Sequence, residues 1–135
     1  MCMMVKMQER TPPVLTERTR PFWTGGEQGE LLIARCQGCR RWSHPPLPLC
    51  PACHGRDLVP EAVSGRGTVW SFTVNRYPWS PTLEPPYVLA EVELEEQPGL
   101  RLLTAIVDCD EVTIGMPVTV RFEAAGEAWI PVFAP

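Results

Sequence analysis

From residue 64 onward, short apolar runs alternate with turn residues, and the runs carry a period of two rather than of 3.6. Residues 68–74 are rich in β-branched and aromatic side chains and partly alternate, which predicts a strand with Trp70 and Phe72 on one face. Residues 87–94 form the next run, and its second half alternates apolar and acidic positions. Glu91, Glu93 and Glu95 then share a solvated outer face rather than forming a catalytic cluster. Runs at 100–107, 118–122 and 128–133 complete a set of five, and Gly115 stands where a barrel turns a corner. Five strands at close spacing predict a small antiparallel barrel of the oligonucleotide/oligosaccharide-binding (OB) type.

The N-terminal half reads differently. Residues 1–18 have mixed polarity, adjacent Pro12 and Pro13 and no period, and are expected to be a loose, flexible arm. Thr19 is a candidate N-cap with Pro21 in the first turn, and Gly29 a candidate stop, so a short helix is expected between them. Gly25 and Gly26 weaken it by about 1 kcal/mol each relative to alanine, leaving Phe22 and Trp23 to hold the segment by packing. Residues 31–36 form a strand, 40–49 are kept extended by Pro45, Pro46 and Pro48, and 58–63 return as a second strand.

Composition narrows the architecture. Sixteen prolines against ten glycines, with 44% apolar residues, favour a packed, mainly β chain with loops over long helices. The 135 residues divide into the arm 1–18, a short helix with a metal ribbon at 19–63, and a barrel at 64–135. A piece of about 60 residues is marginal by core burial alone, so a staple is expected in the first half.

The staple is visible. Cys36, Cys39, Cys50 and Cys53 form two C-x2-C pairs ten residues apart, the spacing of two knuckles that close a thiolate tetrahedron around one structural zinc ion. Four thiolates leave no open coordination position. Iron would accept the same ligands, but nothing in the sequence suggests a redox partner site. His44 and His54 lie near the pairs and are read as packing or surface residues. Cys2 and Cys109 remain as free thiols, Cys109 as a small core residue. The cysteine usage, with no apolar run of about 18 residues and no secretory leader, points to the cytoplasm and away from a membrane.

Charge excludes more than it identifies. Residues 1–63 carry eight Lys and Arg against six acidic residues, whereas 64–135 carry four Arg against ten. A barrel of net charge −6, in a chain whose single lysine is Lys6, is a poor match for a phosphate backbone. That disfavours the alternative of a nucleic-acid-binding zinc-ribbon/OB module. A hydrolase acting on thioesters is disfavoured too, because no nucleophile–base pair, nucleophile elbow or phosphate-cradling glycine loop is present. Tyr77 and Trp79 stand in a proline-stiffened loop, where an aromatic side chain suits a contact surface.

Taken in order, these features resemble a known family. They are Pro21, Phe22 and Trp23; Leu31 and Leu32 ahead of Cys36 and Cys39; Pro45 and Pro46 ahead of Cys50 and Cys53; the segment 64–69; Pro86, Tyr87 and Val88; Leu102, Leu103 and Thr104; the segment 114–118; and the closing segment 130–133. The family is the acyl-CoA-associated one with a rubredoxin-like zinc ribbon and an OB-fold domain, domain of unknown function 35 (DUF35). The resemblance covers residues from about 19 onward. It implies a non-catalytic accessory subunit of a thiolase-like or lipid-transfer-protein-like enzyme (thiolase or aldolase). Such enzymes make or break carbon–carbon bonds in acyl-CoA thioesters, in steroid side-chain, fatty-acid or polyketide metabolism. It also implies that acyl-CoA is held at the junction with the partner. On this chain Arg66 and Arg76 are the candidate CoA contacts, and Phe22, Trp23, Tyr77 and Trp79 the candidate partner surface. Gly25 and Gly26 depart from the helix-friendly pair common in relatives, so the helix is expected to be short or frayed.

Overall fold

The computed structural model describes residues 10–135; Cys2, Lys6 and the first nine positions of the expected arm lie outside the described residues. The order is a helix α1 (Arg20–Thr24), a 3-10 turn (Gly25–Gln28), and strands β1 (Leu31–Cys36), β2 (Trp42–Ser43) and β3 (Leu58–Val63). Strands β4 (Arg66–Asn75), β5 (Tyr87–Leu94), β6 (Arg101–Ile106), β7 (Pro117–Ala125) and β8 (Ala128–Ala134) follow. The first three strands form a sheet in the order β2-β1-β3, and the last five close a barrel in the order β4-β5-β6-β8-β7. This is the mainly β architecture with an OB-type barrel that the apolar pattern predicts.

Barrel closure depends on two seams. β4 meets β7 through Arg66↔Thr119, Gly67↔Val118 and Thr68↔Pro117, and β6 meets β8 in parallel at Ile106↔Phe133. The Val107 amide donates to the Phe133 carbonyl at 2.8 Å, and the Thr104 hydroxyl to the Pro131 carbonyl at 2.9 Å, extending that short seam. Gly115, at φ 87°, turns the chain into β7 while its amide donates to the Val69 carbonyl. Phe133, Val69, Val92, Leu94 and Leu102 fill the barrel.

One strand corrects the alternation. The β4–β5 register shifts between Val69 and Ser71, so Trp70 is an extra residue in a β-bulge. Val69 and Phe72 therefore pack inward while Trp70 faces out, 48% exposed, with the Arg101 guanidinium 3.8 Å above its ring. Trp70 and Phe72 do not share a face, because a strict period of two fails wherever one residue is inserted.

The ribbon sheet sits on the barrel through a single continuous core. Leu31 and Ile33 of β1, Trp42 of β2 and Phe22 of α1 join the barrel's apolar cluster. Gln97 adds a polar clasp: its carbonyl accepts from the Trp42 amide at 2.9 Å and its amide donates to the Trp42 carbonyl at 3.0 Å. Thr19 stands at the N-cap position, but its hydroxyl bonds Thr16 instead of capping α1. Arg10, within the expected arm, is anchored to Glu123 of β7 at 2.9 Å.

Gly26 has a steric reason. A Cβ on Gly26 would stand 2.4 Å from the Phe122 ring and 2.6 Å from Trp129 Cβ, so the backbone there touches the barrel directly. Gly26→Ala should destabilise the zinc-loaded chain by about 1–3 kcal/mol, the range for overpacking a filled interior. Chemical denaturation checks this, and an unchanged midpoint would contradict the contact.

Candidate metal centre and binding surfaces

Each C-x2-C pair forms a tight knuckle, and the two knuckles repeat one hydrogen-bond pattern. The Arg40 amide returns to the Cys36 carbonyl and the Cys36 amide donates to the Arg41 carbonyl, both at 2.9 Å. In the second knuckle, the His54 amide returns to the Cys50 carbonyl at 2.9 Å, and the Cys50 amide donates to the Gly55 carbonyl at 2.8 Å. Closing each loop requires a left-handed residue directly after the second cysteine, and Arg40 (φ 66°) and His54 (φ 63°) supply it. Sequence reading missed these two positions, although their equal offset from each cysteine pair was the available signal.

The four Sγ atoms lie within 4.8 Å of one another, with Cys36–Cys53 and Cys39–Cys50 each at 3.6 Å. A tetrahedron with Zn–S bonds of about 2.3 Å has edges near 3.8 Å, so two edges already match and the donor set can close on one ion with shifts of about 1 Å or less. Backbone amides surround the sulfurs: Cys39 N is 3.5 Å from Cys36 Sγ, Ala52 N 3.4 Å from Cys50 Sγ, and Gly55 N 3.4 Å from Cys53 Sγ. The amides of Cys39 and then Gly38 lower the Cys36 thiol, and those of Cys53 and then Ala52 bring Cys50 down to about 7. At Cys53 the Gly55 amide also favours the thiolate, but Cys36 and Cys39 outweigh it and push the group up to about 11. Four thiolates so close repel one another unless a cation is shared among them.

Neither histidine joins the cluster. His54 is exposed. His44 packs on Phe22 with ring centroids 4.7 Å apart, and burial lowers its pKa to about 4, so it stays neutral. Two of the ribbon's arginines share one carboxylate. Glu61 lies within 3.6 Å of Arg35 and 3.3 Å of Arg40. The Gln37 amide, joined by Arg40 and Arg35, holds that carboxyl below its ordinary value.

The other expected residues do not converge. Arg66 and Arg76 stand at opposite ends of β4. Arg66 is held by Glu95 through Nη2 at 2.7 Å and Nε at 3.0 Å, whereas Arg76 is exposed. Phe22 is buried between Trp23 and His44, so its ring is core rather than free surface, and Trp23 is half-buried beside it. Tyr77 and Trp79 do form an exposed pair, 61% and 72% accessible, with centroids 4.7 Å apart. Cys109 is half-buried against the core, its thiol donating to the Glu111 carbonyl at 3.3 Å. Of the outer carboxylates, Glu93 pairs with Arg101 and Glu95 with Arg66, as befits a surface face.

Residues 23–59 match the family described as "ChsH2, rubredoxin-like zinc ribbon domain", and residues 60–123 match "ChsH2, C-terminal OB-fold domain". A "DUF35 domain-containing scaffold protein" of Methanocaldococcus jannaschii is 36% identical over 101 residues, covering 72% of this chain and 70% of that one. The chain belongs to the DUF35 family. A "Probable enoyl-CoA hydratase alpha subunit" of Thermomonospora curvata is 41% identical over 128 residues, 92% of this chain. The DUF35 chain spans only 40% of that relative's length. Among solved structures, a chain of an "Ltp2-ChsH2(DUF35) aldolase" superposes with a TM-score of 0.82 at 38% identity, covering 92% of this chain and 98% of that one.

For this DUF35 chain the cysteine cluster is accordingly a structural zinc site of the rubredoxin-like type. Protein purified without added metal should carry one zinc per chain by elemental analysis. Cys36→Ser or Cys50→Ser should lose the metal and the folded ribbon, because binding of structural zinc supplies about 10–16 kcal/mol. Full zinc content with unchanged melting in either variant would contradict a structural role. A subtler effect is expected at the second knuckle. A side chain in the left-handed region costs roughly 1–2 kcal/mol, partly offset by glycine's greater unfolded freedom. His54→Gly should therefore stabilise the zinc-loaded chain by about 0.5–1 kcal/mol, and a loss on denaturation would refute the strain.

Proposed function

We propose that this chain is a non-catalytic scaffold subunit that docks on a thiolase-fold enzyme, of the thiolase or lipid-transfer-protein-like aldolase kind, and helps it hold acyl-CoA thioesters. The observation that carries the reading is the end-to-end likeness to the DUF35 chain of the Ltp2-ChsH2(DUF35) aldolase. The site chemistry supports it. A tetrahedral thiolate set has no open position for a substrate, His44 is packed on Phe22, and Cys109 bonds a backbone carbonyl. Such a chain contributes surface and support while the partner contributes the reacting groups. Among the described residues no helix is long and apolar enough to cross a membrane.

The docking surface we assign is the loop between β4 and β5. Tyr77 and Trp79 project from it, Pro78, Pro81, Pro85 and Pro86 stiffen it, and Arg76 lies at its base. A rigid loop loses little conformational entropy on binding, so its aromatic anchors contribute more of their burial energy. Trp79→Ala should weaken association with the cognate enzyme by about 1–4 kcal/mol in titration calorimetry, with zinc content intact. The isolated chain should turn over no acyl-CoA substrate. Unchanged affinity would move the interface off this loop, and robust thioesterase or thiolase activity in pure protein would end the scaffold reading.

A further inference from the structure

The charge pattern identifies a second surface. The chain has twelve lysines and arginines, and among the described residues seven arginines are matched to an acidic side chain. Arg18, Arg41, Arg56 and Arg76 make no ion pair among the described residues. Two of these four, Arg18 and Arg56, line the same groove of about 470 Å³, although they come from segments 38 positions apart in the chain. Its size falls within the roughly 300–1,000 Å³ of small-molecule sites.

The groove floor is the outer face of the ribbon sheet. Alternation along β1 sends Leu31 and Ile33 into the core, leaving Leu32 and Ala34 on the other side, and Ala34 pairs with Pro60 of β3. Arg18 enters just before α1, and Arg56 three residues after the last zinc ligand. Glu17 is the one acidic group lining the groove, so it keeps an excess of positive charge in an otherwise acidic chain. An apolar floor lined by two guanidinium groups that make no ion pair suits a ligand that is flat and apolar in one part and multiply anionic in another.

We infer that this groove holds the phosphate-bearing nucleotide end of CoA, with Arg18 and Arg56 as its phosphate-binding residues. The inference rests on the acyl-CoA reading above and replaces Arg66 as the phosphate contact, since Glu95 already satisfies that guanidinium. A nucleotide seated against the ribbon also gives the zinc a task beyond folding its own loop. The metal fixes the knuckle from which Arg56 projects, and so fixes one wall of the groove.

Titration calorimetry of the zinc-loaded chain with CoA, and separately with pantetheine, tests the assignment. Arg18→Gln with Arg56→Gln should weaken CoA binding at least tenfold, and added salt should weaken the parent more than the double variant. Pantetheine, which lacks the nucleotide and its phosphates, should bind both proteins alike. Arg41→Gln, at an unmatched arginine that does not line the groove, should leave CoA affinity unchanged. Both tested arginines are exposed, so zinc content and circular dichroism should match the parent. If the double variant binds CoA like the parent, the groove assignment fails while the acyl-CoA reading stands. If the parent binds no CoA, alone or assembled with the enzyme it docks on, the groove and the acyl-CoA reading fail together.

Discussion

The mutual repulsion of four thiolates within 4.8 Å is the constraint around which the first half of this protein is organised. Between residues 36 and 57 only Cys36, Trp42, Ser43 and Cys50 are buried, far too little apolar area to fix the loop by packing. A shared cation turns that repulsion into the strongest interaction in the segment. Once the knuckles close, β1 and β3 are clamped at the end where Cys36 pairs with Leu58. Trp42 is presented to Gln97, and His44 to Phe22. The ribbon's position on the barrel thus follows from the metal, the Gln97 clasp and one continuous core acting together.

Surface charge is managed just as closely. Nearly every arginine on the barrel is answered by a neighbouring carboxylate: Arg66 by Glu95, Arg101 by Glu93, Arg121 by Asp108. Isolated surface pairs of this kind add little stability, at most about 1 kcal/mol each. Their larger effect is on recognition. They remove the free cations that a phosphate polymer requires, and they leave the exposed aromatic loop and the ribbon groove as the distinctive features of the surface. The architecture is shared with nucleic-acid modules, but the electrostatics are not.

Much of this was legible in the sequence because the signals were local. The cysteine spacing defined the metal centre, and β5 runs from Tyr87 to Leu94 as its alternation predicts. What was not legible depended on distant neighbours. The bulge at Trp70 is a property of how β4 pairs with β5, and it reversed the side of the sheet on which one aromatic lies. Gly26 reads as a poor helix residue, yet its function is to let the backbone touch Phe122 and Trp129. The pairing of Arg66 with Glu95, 29 residues on, was equally invisible before the fold brought β4 and the end of β5 together. Thr19 looked like a cap until Thr16 proved the better partner.

In the proposed function this DUF35 chain works by attachment to an enzyme rather than by chemistry of its own. The most direct measurement is to purify the intact chain from its native cells under mild conditions and to determine the mass and composition of what it is bound to. The expected result is a defined complex with a thiolase-fold enzyme acting on acyl-CoA, active in carbon–carbon bond formation or cleavage only when both chains are present. A chain that elutes alone and turns over thioesters, or that elutes bound to nucleic acid, would contradict it.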